Sequence, residues 1–348
     1  LFSVRSIPQS EVTLMTRQLA TLVRAGLPLD DALKTLAEQV ENKHVLSMVQ
    51  SIHAKVSEGH SLSEGMSQFP NTFSELYLAT ISAGEHSRDL ALVLERLADY
   101  VEQRQELTQK IKLAMLYPII LSVVALLVTG GLLVFVVPEI VQIFENSKQE
   151  LPLVTRILII ISDFVQNWWF VSFIVIAVTA IFLKWYLSKE KPRYRFHQFL
   201  LKLPMIRALI RQSDASRFTH TLGVLLASGT PMLEALRIAV SAIHSLPIRE
   251  SVKEASVKVR EGETLHQALQ QSTKLPPMTI HLIANGEASG NLETMLENAA
   301  KAHERNIQTQ ISTFLGLLEP VLILTMGLIV LFIVIAILLP IFDLNQLI

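Results

Sequence analysis

Apolar residues recur at helical spacing through the first hundred positions, broken by short polar, glycine or proline punctuation. Val12, Met15, Leu19, Leu22 and Val23 form one stripe, which predicts an amphipathic helix over 10–25 with Ser10 as its N-cap. Gly26 ends it and Pro28 opens the next helix, striped by Leu29, Ala32, Leu33, Leu36 and Val40. A third helix follows over 44–57, with Val45, Val49, Ile52 and Val56 inward and Gly59 as its stop. Ser61-Leu62-Ser63-Glu64 has the capping-box pattern of a short fourth helix. After a turn at Pro70-Asn71, a fifth helix covers 73–83, and Ser82-Ala83-Gly84-Glu85 reads as the next turn. A sixth helix starts near Arg88 and carries Leu90, Leu94, Leu97 and Val101. No alternation of period two occurs in this half, so no strand is expected.

The pattern then returns. Residues 16–33 (TRQLATLVRAGLPLDDAL) align without a gap on 219–236 (THTLGVLLASGTPMLEAL), 203 positions on. Thr16/Thr219, Leu19/Leu222, Leu22/Leu225, Gly26/Gly229, Pro28/Pro231, Ala32/Ala235 and Leu33/Leu236 are identical pairs. From Gly84-Glu85, matched by Gly286-Glu287, the offset is 202, and it holds at Pro118/Pro320 and Pro138/Pro340. This is duplication of a domain-sized unit rather than a solenoid of short repeats.

Three stretches lose their charge. Residues 113–138 contain no Asp, Glu, Lys, Arg or His, ample for the roughly 20 residues that cross a bilayer. Pro118 should kink this helix near its start, and Gly130-Gly131 offers a small-residue patch for close packing. A second run covers 164–183, with Trp168-Trp169 and Lys184-Trp185-Tyr186 at its two ends as interface anchors. The third, about 320–342, is the register twin of the first, which leaves the second as the insertion. Arg104, Lys110 and Lys112 enter span one, and a basic segment from Lys189 to Arg211 leaves span two. The connector between them has two basic residues, and the tail after span three has none. The positive-inside rule then puts both helical repeats in the cytoplasm and the C-terminus outside the inner membrane of a bacterial cell.

The expected organisation is a first cytoplasmic helical repeat (1–112), span one (113–138), a periplasmic connector (139–163) and span two (164–187). A second cytoplasmic repeat (188–316), span three (317–342) and a periplasmic tail (343–348) complete it. The fold class is an all-α membrane protein with two homologous six-helix bundles and three transmembrane helices.

Composition narrows the chemistry. Half of the 348 residues are apolar and only 18% are charged, where a soluble domain carries about a quarter. The net charge of −1 gives no field for nucleic acid, and the absence of cysteine excludes thiolate metal sites and cysteine nucleophiles. The sequence begins at Leu1, so a preceding native segment is expected. No Gly-Lys dipeptide exists to form a P-loop, and Gly286-Glu287-Ala288-Ser289-Gly290 misses the nucleophile elbow by one position. The ten histidines are scattered and read as exposed or turn residues. No charge sits mid-span, which disfavours a transporter.

Three features carry candidate chemistry. The Gly-x-Pro and Gly-Glu turns read first as helix punctuation, the acid having a secondary chance of meeting a partner. Glu95 and Asp99 lie one turn apart on the sixth helix, where two carboxylates repel unless solvated or bridged by a cation. With Glu41 they could offer hard oxygen ligands to calcium, although a solvated acidic face is the commoner arrangement. The second copy has Glu297, Lys301 and His244 at these positions, so such a site is confined to the first. Glu319, at the edge of span three where copy one has Tyr117, is either an interfacial acid or a polar contact to another membrane helix.

The stretches TRQLATLVRAGLPLDDAL, VREGETL, LPPMTIHLIANGEASGNLETMLENAA and LLEPVLILTMGLIVLFIVIAILLPIF resemble the general secretion pathway protein F family. These are inner-membrane platform proteins of bacterial type II secretion systems, related to the platform protein of type IV pili. The resemblance covers essentially the whole chain, and family members carry an additional N-terminal segment. It implies a non-catalytic role that couples a cytoplasmic ATPase to pseudopilin assembly. The implied partners are that ATPase, bitopic inner-membrane proteins, the major pseudopilin and further copies of the chain. It also implies calcium as the one candidate cofactor, at Glu41, Glu95 and Asp99. The PPM…IANGEASG…MLE stretch favours the secretion branch over the pilus branch.

Overall fold

Pro8, Pro28 and Pro231 each stand immediately before a helix in extended conformation, because a fixed φ near −65° and a missing N–H suit a chain about to enter its first turn. In the computed structural model, which describes residues 7–87, 89–139, 153–271 and 274–345, they set the starts of the helix pairs at the head of each repeat. The described residues contain no strand. They gather into two compact units, one of Leu1–Gln109 with Tyr194–Thr309, the other of Lys110–Arg193 with Gln310–Ile348.

The first unit holds both repeats. Copy one consists of α1 (Gln9–Arg24), α2 (Leu29–Gln39), α3 (Lys43–Ser57), α4 (Leu62–Ser67), α5 (Glu75–Ser87) and the start of α6 (Leu90–Gly131). The predicted cap Ser10 lies inside α1. The Pro8 carbonyl, accepting the Glu11 and Val12 N–H groups at 3.0 and 3.3 Å, already anchors the first turn. Gly26 takes φ 90°, and its N–H and that of Leu27 bond back to Val23 and Leu22. Gly229 repeats this closure at φ 83°, with Thr230 reaching Leu225. A side chain at either position would meet the left-handed conformation that L-residues resist. The capping box is present: Ser61 Oγ accepts the Glu64 N–H, and the Glu64 carboxylate accepts the Ser61 N–H. The copy-one core joins Leu19, Leu33, Leu36, Val49, Ile52, Leu62, Ile81, Leu94 and Leu97, all at most 1% exposed. Most of these residues belong to the helical stripes visible in the sequence.

Copy two follows helix α8 (Glu190–Leu200) and repeats the plan. Its helices are α9 (Pro204–Ala227), α10 (Met232–Ser241), α11 (Leu246–Arg260), α12 (Leu265–Gln270), α13 (Pro277–Ser289) and α14 (Leu292–Asn345). Its core includes Phe218, Leu222, Leu236, Ile248, Val252 and Ile283, together with Leu76 from α5 of copy one. The two cores therefore meet within this unit.

The second unit takes the remainder of α6, a π-helical turn at Leu132–Val136, α7 (Leu153–Leu187) and the remainder of α14. Among the described residues, three helices are long and apolar enough to cross a membrane: Leu90–Glu139, Phe170–Leu187 and Leu292–Leu339. Most of their apolar side chains, such as Leu126, Phe173 and Leu324, are exposed on the chain itself, the surface that lipid tails would cover. Helix α6 passes through Pro118 without interruption. Among the described residues, nothing outside the helix's own backbone comes within 4 Å of a Cβ built on Gly130 or Gly131, so the small-residue patch meets no packing partner there. The predicted connector 139–163 is helical from Leu153 onward, and 140–152 lie outside the described residues.

A widened π turn leaves backbone carbonyls poorly matched to amides one turn on. Here Ser162 Oγ and Gln166 Nε2 of α7 both donate to the Leu133 carbonyl, at 2.5 and 3.4 Å. Thr155 Oγ1 donates to the Ala336 carbonyl of α14 at 2.6 Å. In an apolar surrounding such side chains act as interhelical fasteners. Leu133, Val137, Leu158, Ile333 and Ala336 form the small core around them.

Candidate functional site

Gly84-Glu85 and Gly286-Glu287, predicted as turns, are instead helical, inside α5 and α13. The reason is steric and electrostatic together. A Cβ on Gly84 would stand 2.9 Å from the Val93 Cβ, and one on Gly286 would stand 2.8 Å from the Leu292 Cα. Glycine is there because the following helix crosses against that turn, not to break it. One residue on, the acid reaches sideways. Glu85 accepts the Leu62 and Ser63 N–H groups at 2.5 and 3.3 Å and the Ser63 hydroxyl at 2.8 Å. Glu287 accepts the Leu265 and His266 N–H groups at 2.7 and 2.8 Å. Each copy thus uses a carboxylate from its fifth helix to satisfy the open N-terminus of its short fourth helix, a charge-assisted cap delivered through space.

The acidic face of α6 shows where the copies part. Glu95 and Asp99 do lie together, joined by Glu102, but arginines of α1 occupy them. Arg17 forks onto Asp99 and Glu102, with the Glu102 bonds at 2.7 and 2.5 Å and the Asp99 bond at 2.5 Å. Arg24 pairs with Glu95. Glu102 and Asp99 together hold the Arg17 guanidinium above its ordinary range, and Arg17 in turn lowers the Glu102 carboxyl. Glu41 sits exposed in the link between α2 and α3. Among the described residues no group of three or more His, Cys, Asp or Glu is placed to hold a metal. As arranged, guanidinium groups pair with two of the three, Asp99 and Glu95.

At the matching positions of copy two, Arg17 becomes His220, Asp99 becomes Lys301, and Glu102 becomes Glu304. His220 Nδ1 lies 3.9 Å from Glu304, and its ring packs on Tyr100 of α6 with centroids 4.5 Å apart. Burial pushes the His220 pKa down to about 4, outweighing the attraction of Glu297, so at neutral pH this contact joins a neutral imidazole to a carboxylate. His303, standing where copy one has the core residue Val101, is fully buried between Thr279, 2.7 Å from its Nε2, and Gln212. Burial lowers it to about 4 as well. Both histidines depart from the expectation of exposed or turn residues. A period count places position 303 on the inward stripe of α14, and that was the available signal.

The two copies also hold each other directly. Arg237 of α10 pairs with Glu75 of α5 at 2.7 Å, and Ser241 donates to the same carboxylate at 3.1 Å. Arg96 of α6 donates to the Ala227 carbonyl at the end of α9. Between α6, α9 and α14 a cleft of about 200 Å³ is lined by Arg96, Asp99, Tyr100, His220, Glu293 and Glu297. Sequence reasoning missed Asp214. Buried at 2% exposure, it accepts the His244 and Ser245 N–H groups at 3.0 and 3.1 Å ahead of α11. In the second unit, Tyr117 Oη donates to Glu319 Oε1 at 3.1 Å. The predicted polar contact is present, and it joins counterpart positions of the two copies.

A family model described as type II secretion system protein F matches residues 15–138 and again 218–340, one match per copy. The chain belongs to the type II secretion system protein F family. Similar relatives carry that name in Pseudomonas aeruginosa (46% identical over 99% of this chain and 85% of the relative) and Aeromonas hydrophila (43%, over 99% and 89%). A relative named type IV pilus assembly protein PilC from Thermus thermophilus is 36% identical over 95% of this chain and 82% of its own length. In this protein F family member, the repeated feature is the Gly-Glu clasp, and the individual features are the arginine-bound acids of copy one and the buried histidines of copy two.

Proposed function

We propose that this chain is an inner-membrane platform component of a type II secretion system. In this reading it couples a cytoplasmic secretion ATPase to assembly of pseudopilin subunits for protein export across the outer membrane. The observation that carries it is the double family match, one per repeat, with relatives named for secretion at 32 to 46% identity over nearly the whole chain. The physics is compatible with a scaffold. Two bundles joined by shared apolar core, an ion pair and hydrogen bonds can transmit displacement as one body, with α6 and α14 each running from a bundle into an apolar span. Such a part needs no reacting group of its own. The two repeats are cytoplasmic and the C-terminus periplasmic, from the basic residues flanking spans one and two. The partners are the ATPase, bitopic inner-membrane proteins, the major pseudopilin and further copies of this chain.

Deleting the gene tests this. Secreted enzymes trapped in the periplasm with pili intact support it. Normal secretion with lost twitching motility would instead favour a pilus platform, the second reading, which the pilus assembly relatives at 32 to 36% identity support. Calcium, implied by resemblance at Glu41, Glu95 and Asp99, has no step in this reading. A calorimetric titration giving heat and a raised melting point would bring it in, with Arg17 and Arg24 displaced.

A further inference from the structure

Helix α8 begins three residues after the apolar helix α7 ends at Leu187. One side of it is fixed to the second bundle. His197 Nδ1 accepts the Leu246 N–H at 3.1 Å, and Leu201, one position past the helix, packs on the copy-two core. At 100° per residue these lie together, and Pro192, Phe196 and Phe199 fall on the opposite side. Phe196 and Phe199 are 38% and 58% exposed. The exposed apolar surface continues past the helix with Leu203, Met205 and Ile206, at 37%, 51% and 37%. Flanking it are Lys191, Arg193 and Arg195, all exposed. Just before α8, Lys189 stands 4.4 Å over the Trp185 ring, the aromatic–cation pairing typical of a membrane–water boundary.

We propose that α8 is an interfacial helix whose Phe196 and Phe199 enter the acyl boundary of the bilayer that α7 crosses, while Lys191, Arg193 and Arg195 bind anionic phospholipid headgroups. Two observations select a lipid over an acidic protein partner. Chain continuity leaves only Ser188 and Lys189 between the apolar helix and α8, so the face is delivered to the headgroup region whatever else binds. Its layout, bare aromatic rings rimmed by basic side chains, is that of helices that lie in the interface plane. The inference needs only that α7 crosses the bilayer and does not depend on the secretion reading.

The test uses the full chain in lipid nanodiscs. With no native cysteine, a spin label can be placed singly through Phe196→Cys, Phe199→Cys and, as an aqueous control on α11, Lys253→Cys. Depth is read from the ratio of oxygen to nickel-chelate collision rates. With about one third phosphatidylglycerol, labels at 196 and 199 should report the acyl boundary and the label at 253 water. In phosphatidylcholine alone they should be shallower. Replacing Lys191, Arg193 and Arg195 with Gln, in the labelled chain, should abolish the difference between lipids, each basic residue contributing roughly fivefold to partitioning. Labels as water-exposed as the control in both lipids would overturn the proposal, and would be the result if this face served an acidic protein. Equal depth in both lipids would overturn the headgroup assignment.

Discussion

The two repeats hold one another to the same plan at α4–α5 and depart from it at α1–α6. Glu85 and Glu287 cap matching helix starts, with the carboxylates of both pointing at two backbone amides. Yet Arg17, ion-paired and partly exposed, becomes His220, mostly buried and neutral; Val101, an ordinary core residue, becomes His303. Some contacts therefore serve the fold and others the individual copy. A cap that satisfies orphan amides is needed wherever that short helix occurs. A charge pattern on an outer face is free to change with whatever covers it.

Acid should act most strongly on copy two. Neutral His220 and His303, at about 4 against an ordinary value near 6.5, make the unfolded chain the better proton acceptor between those values. Stability due to them is complete above about pH 6.5 and lost as pH falls toward 4, on the order of 3 kcal/mol each. Thermal unfolding of the full chain from pH 7 to 4.5 should show a falling midpoint, and His303→Gln together with His220→Gln should flatten that fall. An unchanged slope would place the acid sensitivity elsewhere.

Next come the glycines. Gly286→Ala drives a methyl into the Leu292 backbone, whereas Gly84→Ala meets only the Val93 side chain. Both should destabilise, Gly286→Ala by about 1–3 kcal/mol and Gly84→Ala by less, because a side chain can rotate away and a backbone must shift. Equal melting points for the two variants would contradict that ranking. For the caps, Glu85→Gln and Glu287→Gln should cost about 1–2 kcal/mol each and by similar amounts, since each weakens charge-assisted bonds to backbone amides. Amide exchange at α4 and α12 should rise locally. A large inequality would mean that the Ser61 box, present only in copy one, carries the helix start there.

Smallest is the acidic face. Arg17→Gln removes pairs to Asp99 and Glu102 whose side chains are 54% and 38% exposed, so its effect on stability should stay below about 1 kcal/mol. The same variant sharpens the calcium question, because it frees Asp99. A calcium-dependent rise in melting point for Arg17→Gln larger than for the unmodified chain would show that arginine and cation compete for that carboxylate.

The helical class, the duplication and the three apolar helices were legible because they rest on periodicity, which each residue reports locally. The Gly-Glu motif was legible as important but not as to kind. A glycine before an acid is compatible with a helix end, and only the crossing helix, Val93 or Leu292, shows that the missing Cβ makes room for a neighbour. The carboxylate pair on α6 was found by spacing; its arginine partners lie on α1, more than seventy residues away, and no local pattern announces them. Asp214 was hidden for the same reason, since a buried acid is explained only by the two amides that it meets.

Tyr117 and Glu319 are counterparts in the duplicated register, and they touch. If two separate, identical half-length chains paired in this way, the same side chain would have to stand on both sides of that contact. Tyrosine can meet tyrosine there, but carboxylate facing carboxylate would repel. Joining the halves in one polypeptide lifts that restriction: one position can become purely an acceptor and the other its donor. The bond between them is one that two identical half-length chains could not make, and it gives the two membrane helices distinct identities where a homodimer would have had one.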